Sequence, residues 1–307
     1  MLLPVHDDNA ARRTPVVTYA LIVLNVVIFL VSPLSGFGSG TMDPEARVCA
    51  ENGYYYEYGA IPKELVGGGG IVDPPDLVAT ERGPVRCTTA ADPDKIPALS
   101  VLFAMFMHGG WVHLIGNMLY LYVFGNNVED RMGRGHFTLF YLAAGYLATY
   151  GFALLNPGSA QPLVGASGAI AAVLGAYLYL YPKARVTSLV PLLLFLPLRF
   201  PAWAVLGFYF VLQWLYFQGV GVNGDADVAY SAHLVGFAAG FVYAWALYHR
   251  RRAPRAPVGV YAPGVPGVPG APGAPAAEPL VHALPTAPAI PPPPTYPPPG
   301  TPSGPNG

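Results

Sequence analysis

Three short segments hold residue types that together could break an acyl bond. His108-Gly-Gly-Trp-Val-His113-Leu-Ile-Gly-Asn117 sets a histidine and an amide four residues apart, hence on one face of a helix. Gly165-Ala-Ser167-Gly168 surrounds a hydroxyl with residues too small to shield it. Ala232-His233-Leu-Val-Gly236, with Gly240 one turn further on, pairs an imidazole with a row of small residues at every fourth position. A serine acts as a nucleophile when a base lies within hydrogen-bond reach and donors wait where an oxyanion will form. On that logic Ser167 is the nucleophile and His233 the base. The backbone N–H of Ser167 and the side chains of His113 and Asn117 are the oxyanion donors. Gly165 and Gly168 leave room for a substrate backbone, and a helix starting there directs free N–H groups and its positive dipole end at developing negative charge. Ala232, Gly236 and Gly240 permit close approach of one helix to the other, bringing His233 to Ser167. With no carboxylate near this depth, a Ser-His dyad is more economical than a triad.

Taken singly, each segment also has a packing explanation. Serine among glycines forms close helix contacts, and a lone histidine, or His113 with Asn117, can be interhelical hydrogen-bonding glue. Their shared depth argues for more than packing, and that depth follows from the elements carrying them.

The chain has 307 residues, 53% hydrophobic and 11% charged, which excludes an ordinary soluble enzyme. A net charge of -1 offers no field for nucleic acid. Six apolar runs, about 16–32, 110–125, 137–155, 164–181, 202–218 and 229–248, have the length of bilayer-crossing helices. A seventh, Leu189 to Leu198, is short and broken by Pro191 and Pro197; it is expected at the membrane interface or as a lead into the fifth span. With the N-terminus inside, eleven of the sixteen Lys and Arg residues fall on the inner side. The fold expected is an all-α membrane protein, a six-transmembrane-helix bundle with both termini cytoplasmic. The second, fourth and sixth spans then begin at the exoplasmic side, and all three motifs lie within about two turns of those starts. The fifth span, rich in Trp203, Phe208, Phe210 and Trp214, is a candidate apolar gate over a buried dyad.

Three regions are expected: a cytoplasmic N-terminus (1–15), the membrane domain (16–250) with an exoplasmic insertion (33–97), and a cytoplasmic tail (251–307). Cys49 and Cys87 fall in the insertion, where a bridge is chemically allowed and two separate thiols equally so. The tail, with 19 prolines from residue 253 onward, cannot bury enough apolar surface to fold and is expected to be disordered. Its Pro293-Pro294-Thr295-Tyr296 is a weak candidate for a proline-recognising module. Thirteen arginines against three lysines suggest a GC-rich genome and a bacterial inner membrane.

These motifs, in this order and on these spans, resemble the rhomboid family of intramembrane serine proteases over about residues 16 to 250. Gly125-Asn-Asn-Val-Glu129-Asp-Arg-Met-Gly133 is similar to the family's inner turn, whose glutamate ties down backbone. The resemblance implies a Ser167 nucleophile, a His233 base, and His113 and Asn117 as oxyanion donors, with His108, Gly165, Gly168, Gly236, Gly240 and Glu129 supporting the site. It further implies peptide-bond cleavage in transmembrane protein substrates near the outer face of the lipid bilayer, without metal or cofactor. Two departures stand out: Asp94-Lys95-Ile96 replaces a Trp-Arg pair before the second span, and Ala171 replaces an aromatic that supports the histidine ring in some members. The rival readings are a catalytically silent rhomboid-like chaperone or lipid-perturbing factor, a small transporter, and a metallohydrolase. The transporter would favour intramembrane acids, which the spans lack. The metallohydrolase would favour His-Glu-x-x-His, which is absent.

Overall fold

The computed structural model describes residues 3–9, 11–37, 42–68, 70–190, 194–220 and 229–249, all within one compact unit that ends at Pro254. The proline-rich tail and the arginines from Arg250 to Arg255 lie outside the described residues.

In chain order the elements are β1 (Leu3–Asp7), α1 (Val16–Val31), α2 (Pro44–Tyr58), α3 (Pro62–Val66), β2 (Leu77–Val78), β3 (Val85–Arg86), α4 (Pro97–Ala104) and α5 (Trp111–Tyr120). They continue with α6 (Asn126–Met132), α7 (Arg134–Leu155), α8 (Ser167–Leu180), β4 (Arg185–Val190), β5 (Leu196–Pro201), α9 (Ala202–Phe217) and α10 (Tyr230–Tyr248). Each of the six apolar runs is helical. Among the described residues, α7 and α10 are long and apolar enough to cross a membrane, while α1, α8 and α9 are shorter apolar helices. α5 runs on through a π-helical stretch, Leu121–Gly125, into α6 as one rod. Gly133 ends that rod: at φ +86° it adopts a conformation that L side chains rarely reach, and α7 starts at the next residue.

α8 sits at the centre. Every residue from Gly168 to Tyr177 is buried, so the helix is enclosed on all sides, as an all-round apolar sequence requires. The helices around it turn large apolar side chains outward, among them Val23 and Val27 on α1, Leu139 and Leu147 on α7, Trp203 and Trp214 on α9 and Trp245 on α10. In water such a surface would be penalised at roughly 25 cal/mol per Å². Facing acyl chains it carries no such penalty.

Close approach sets the contact between α8 and α10. A methyl at Gly240 would lie 1.9 Å from the Ala172 carbonyl oxygen, one at Gly236 2.2 Å from that of Gly168, and one at Gly175 2.0 Å from that of Phe237. Glycine is required at all three, because backbone occupies the space. Gly175, unlike the other two, had no signal beyond its place in the fourth span.

The two ends of the bundle differ. At one end the insertion folds over the starts of α5 and α8. Asp43 accepts from the N–H groups of Glu45 and Ala46 to begin α2. A Cys49–Cys87 disulfide then joins α2 to the segment after β3. Lys95, in place of the Trp-Arg pair, pins the insertion: its Nζ lies 2.8 Å from a Glu64 carboxylate oxygen and donates to the carbonyls of Tyr56 and Gly59. At the other end Glu129 is buried and accepts from the N–H groups of Val17 (3.0 Å) and Thr18 (2.7 Å) and from the Thr18 hydroxyl (2.8 Å). It thereby caps α1, which follows Pro15 and has no cap of its own.

One expectation is corrected, that of an all-α fold. The fold is helix-rich, but the two ends of the apolar run Leu189 to Leu198 are strands of a β-hairpin, the second of which leads directly into α9. β4 pairs antiparallel with β5, from Arg185 opposite Pro201 to Val190 opposite Leu196, and β1 pairs antiparallel with β4. An all-α fold therefore misses a three-stranded sheet. Residues upstream of 16 also belong to the packed unit: the Asp7 carboxylate of β1 is buried and accepts from the Tyr177 hydroxyl (2.6 Å) and the Asn127 amide (2.8 Å).

Candidate active site

Ser167 is the first residue of α8, and no side chain caps that helix start. Its early N–H groups, including that of Ser167, are thus available as donors. His233 lies in the first turn of α10. Because Gly236 and Gly240 bring α10 against α8, the imidazole reaches the hydroxyl: His233 Nε2 and Ser167 Oγ are 2.7 Å apart. A hydroxyl bonded in this way to an imidazole can pass its proton to the ring as the oxygen attacks.

Gly165 lies against a second histidine, His113. A methyl there would lie 2.8 Å from His113 Cε1, 2.9 Å from His113 Nε2 and 3.5 Å from Ser167 Oγ, so ring and hydroxyl face the same small space. Its φ of +125° also favours glycine. His113 Nδ1 accepts from the N–H of Gly109 at 3.3 Å, which leaves Nε2 as the proton-bearing nitrogen of the neutral ring. Asn117, one turn along α5, is buried, and its Nδ2 has no hydrogen-bond partner among the described residues. A buried amide donor left open is costly unless something arrives to accept from it. His108 is buried with both ring nitrogens unpartnered among the described residues, and it packs edge-on against His113 with centroids 5.1 Å apart. Gly168 lies under Ala148, where a methyl would come within 2.7 Å of that side chain.

Apart from Glu129, and from Gly240, which packs on Ala172 two turns beyond His233, the sequence-expected residues thus gather at one end of the bundle. Glu129 follows His113 by sixteen residues on one rod, about 24 Å away, and it acts on α1 rather than on the serine and histidine. One residue at the site carried no prediction: Gln213 of α9 is buried, and its Oε1 lies 2.8 Å from His233 Nδ1. An amide in an otherwise apolar span is a detectable signal, and Gln213 is the one that α9 carries. Of the aromatics on the fifth span, Trp203, Phe208 and Trp214 point outward, and Phe210 packs on Phe237 of α10.

Part of this chain is similar to known proteins. Residues 98–250, which contain every one of these site residues, match the family model described as the Rhomboid domain. The chain is 32% identical over 153 residues to the Saccharomyces cerevisiae protein named Rhomboid protein 1, mitochondrial, covering 48% of this chain and 41% of that one. It is 42% identical over 79 residues to the Bacillus subtilis protein named Rhomboid protease GluP, covering 26% and 15%. It is 28% identical over 109 residues to the Danio rerio Presenilin-associated rhomboid-like protein A, mitochondrial, covering 35% and 28%. The matched region is therefore less than half the length of each of these relatives. Two of the three are named as mitochondrial, which lends no support to a bacterial inner membrane in particular. With its domain match and its apolar, outward-facing helices, the chain belongs to the rhomboid family of membrane proteins.

Proposed function

We propose that the protein is an intramembrane serine endopeptidase that hydrolyses peptide bonds in or near the transmembrane segments of other membrane proteins. The observation that carries this reading is the 2.7 Å hydrogen bond between Ser167 Oγ and His233 Nε2, made by two separate helices at one end of an apolar bundle. The relative named as a rhomboid protease supports it.

In this mechanism Ser167 Oγ attacks the scissile carbonyl carbon while its proton passes to His233 Nε2. The carbonyl π pair moves onto oxygen, where the Ser167 N–H, His113 Nε2–H and Asn117 Nδ2–H receive it. Collapse of the tetrahedral adduct breaks the C–N bond, and His233 returns the proton to the departing amine. Water then adds to the acyl-serine, again losing a proton to His233, and the second collapse frees the carboxyl product and restores the hydroxyl. His108 supports the His113 ring, Gly165 keeps space for the substrate strand beside Ser167, and Gly168 lets α8 pack against Ala148 of α7.

The six apolar helices are proposed to cross the membrane, with the N-terminus and tail on the cytoplasmic side. The disulfide-tied insertion and the serine then lie toward the exoplasmic side. A bridge there agrees with an oxidising compartment, and the basic residues of the opposite connections agree with cytoplasmic loops.

The test compares wild type with Ser167→Ala in liposomes, using a labelled single-span substrate and a serine-reactive phosphonate. Wild type is expected to cleave the substrate and take the label, and the variant to do neither. Equal processing by both proteins would remove the assignment and leave the silent chaperone reading.

A further inference from the structure

We propose that Gln213 is the positioning residue of the catalytic base, fixing the tautomer and orientation of His233 from a third helix. The inference rests on the protease reading and deepens it.

An amide oxygen only accepts hydrogen bonds, so the 2.8 Å contact between Gln213 Oε1 and His233 Nδ1 requires the proton to sit on Nδ1. A neutral imidazole carrying its proton there presents a lone pair at Nε2, the nitrogen 2.7 Å from Ser167 Oγ. The opposite tautomer would set two acceptors against each other at Nδ1 and aim an N–H at the serine, which could not then hand over its proton.

The surroundings leave this task to Gln213. The fourth position after the serine is Ala171, which has no ring to lean on the histidine. Among the described residues, Gln213 provides the side-chain hydrogen bond at Nδ1. It is buried on α9, and the neighbouring Phe210 ring packs on Phe237 of the histidine's own helix at 5.1 Å between centroids. The glutamine is thus held at a fixed height beside α10.

The contact also changes during the reaction. When the serine proton arrives at Nε2, the ring becomes a cation and its Nδ1–H a charge-assisted donor, so the bond to Gln213 strengthens as the oxyanion forms. Gln213 takes no proton at any step.

The experiment compares kcat, KM and pH–rate profiles of the full chain carrying Gln213→Leu or Gln213→Glu, with Ser167→Ala as the blank. Leucine removes the acceptor at similar bulk, whereas glutamate keeps one. The expected result for Gln213→Leu is a kcat lower by about 10- to 100-fold, the range of one hydrogen bond to a charged group, with KM within about twofold. Gln213→Glu should retain most of the activity, with the acid limb of its profile moved to higher pH, since a carboxylate favours the protonated ring. Unchanged kcat in Gln213→Leu, or equal loss in both variants, would overturn the proposal. Nitrogen-15 spectra of histidine-labelled wild type give a test that needs no variant to fold. A neutral His233 protonated at Nδ1 supports the assignment, and one protonated at Nε2 defeats it. Substrate cleavage by Ser167→Ala would instead sink the protease reading itself, whatever Gln213 does.

Discussion

Adding one methyl group at Gly236 should disable the site without touching a reacting atom. The added carbon would lie 2.2 Å from the Gly168 carbonyl oxygen, where ordinary contact begins at 3.4 Å, so the helices must separate locally by about 1.2 Å. The obstacle is backbone and has no rotamer to yield. Gly168 follows the serine and Gly236 lies one turn beyond the histidine, so the separation falls directly on their 2.7 Å hydrogen bond. Stretched by most of that amount, the pair passes beyond hydrogen-bonding range. Misplacement on this scale costs about 100-fold in rate, and overpacking costs about 1–3 kcal/mol in stability. Gly236→Ala should therefore unfold a few degrees lower while losing most of its kcat. Gly207→Ala on α9 is the control, because nothing lies within 4 Å of the methyl it would add. Kinetics on a labelled transmembrane substrate, with thermal unfolding in the same detergent, would read both effects. If Gly236→Ala matched wild type in rate and melting, or if Gly207→Ala were equally impaired, the account of α8–α10 contact as the device that brings base to nucleophile would be wrong.

Two further perturbations probe the opposite end. Glu129→Ala strands two backbone donors at the start of α1 and should cost about 2–3 kcal/mol. The melting point should fall by roughly 5–10 °C, with little change in kcat at temperatures where the variant remains folded; a large rate loss without destabilisation would count against a purely anchoring role. Asp7→Asn tests the buried carboxylate of β1. Burial raises its pKa above the ordinary 3.8, opposed in part by the Tyr177 hydrogen bond. The folded chain thus holds a proton that the unfolded chain has released. The associated stability is complete below pH 3.8 and is lost as pH rises through the folded-state value. Wild type should accordingly lose stability relative to Asp7→Asn across that window, and parallel melting-versus-pH curves for the two would contradict it.

What the sequence disclosed and what it hid follow from the range of each interaction. Small residues at every fourth position of the sixth span and the four-residue step from His113 to Asn117 are periodicities within one helix, and the chain displays them directly. Gln213 is different: its role depends on how far α9 is rotated relative to α10, which no pattern along α9 records. The hairpin of β4 and β5 was concealed because Pro191 and Pro197 in an apolar run signal an interrupted membrane segment as readily as a turn. Its first partner, β1, is only five residues long. The cysteines could not be paired from sequence because 38 positions separate them, and only the folded insertion brings them together. The turn around Glu129 marks a residue that ties down backbone, but which backbone it holds depends on the placement of α1 beside α6.

The choice of an amide at position 213 has a physical rationale. A carboxylate beside His233 would stabilise the imidazolium more strongly, yet it would bury a full charge whenever the ring is neutral, a cost of several kcal/mol in a medium that solvates ions poorly. Soluble proteases can meet that cost with added hydrogen bonds around the acid. Beside Gln213, Phe210 packs on Phe237 of α10, and the otherwise apolar α9 offers few such donors. A neutral acceptor gives up part of the electrostatic assistance and keeps the directional part, which selects the tautomer and holds the ring toward Ser167. The same reasoning fixes a limit on Gln213→Glu: its gain in base strength should be offset by burial. It should therefore equal wild type at best near its pH optimum and melt at a lower temperature. A variant both faster and more stable than wild type would show that the pocket is wetter than its apolar lining implies.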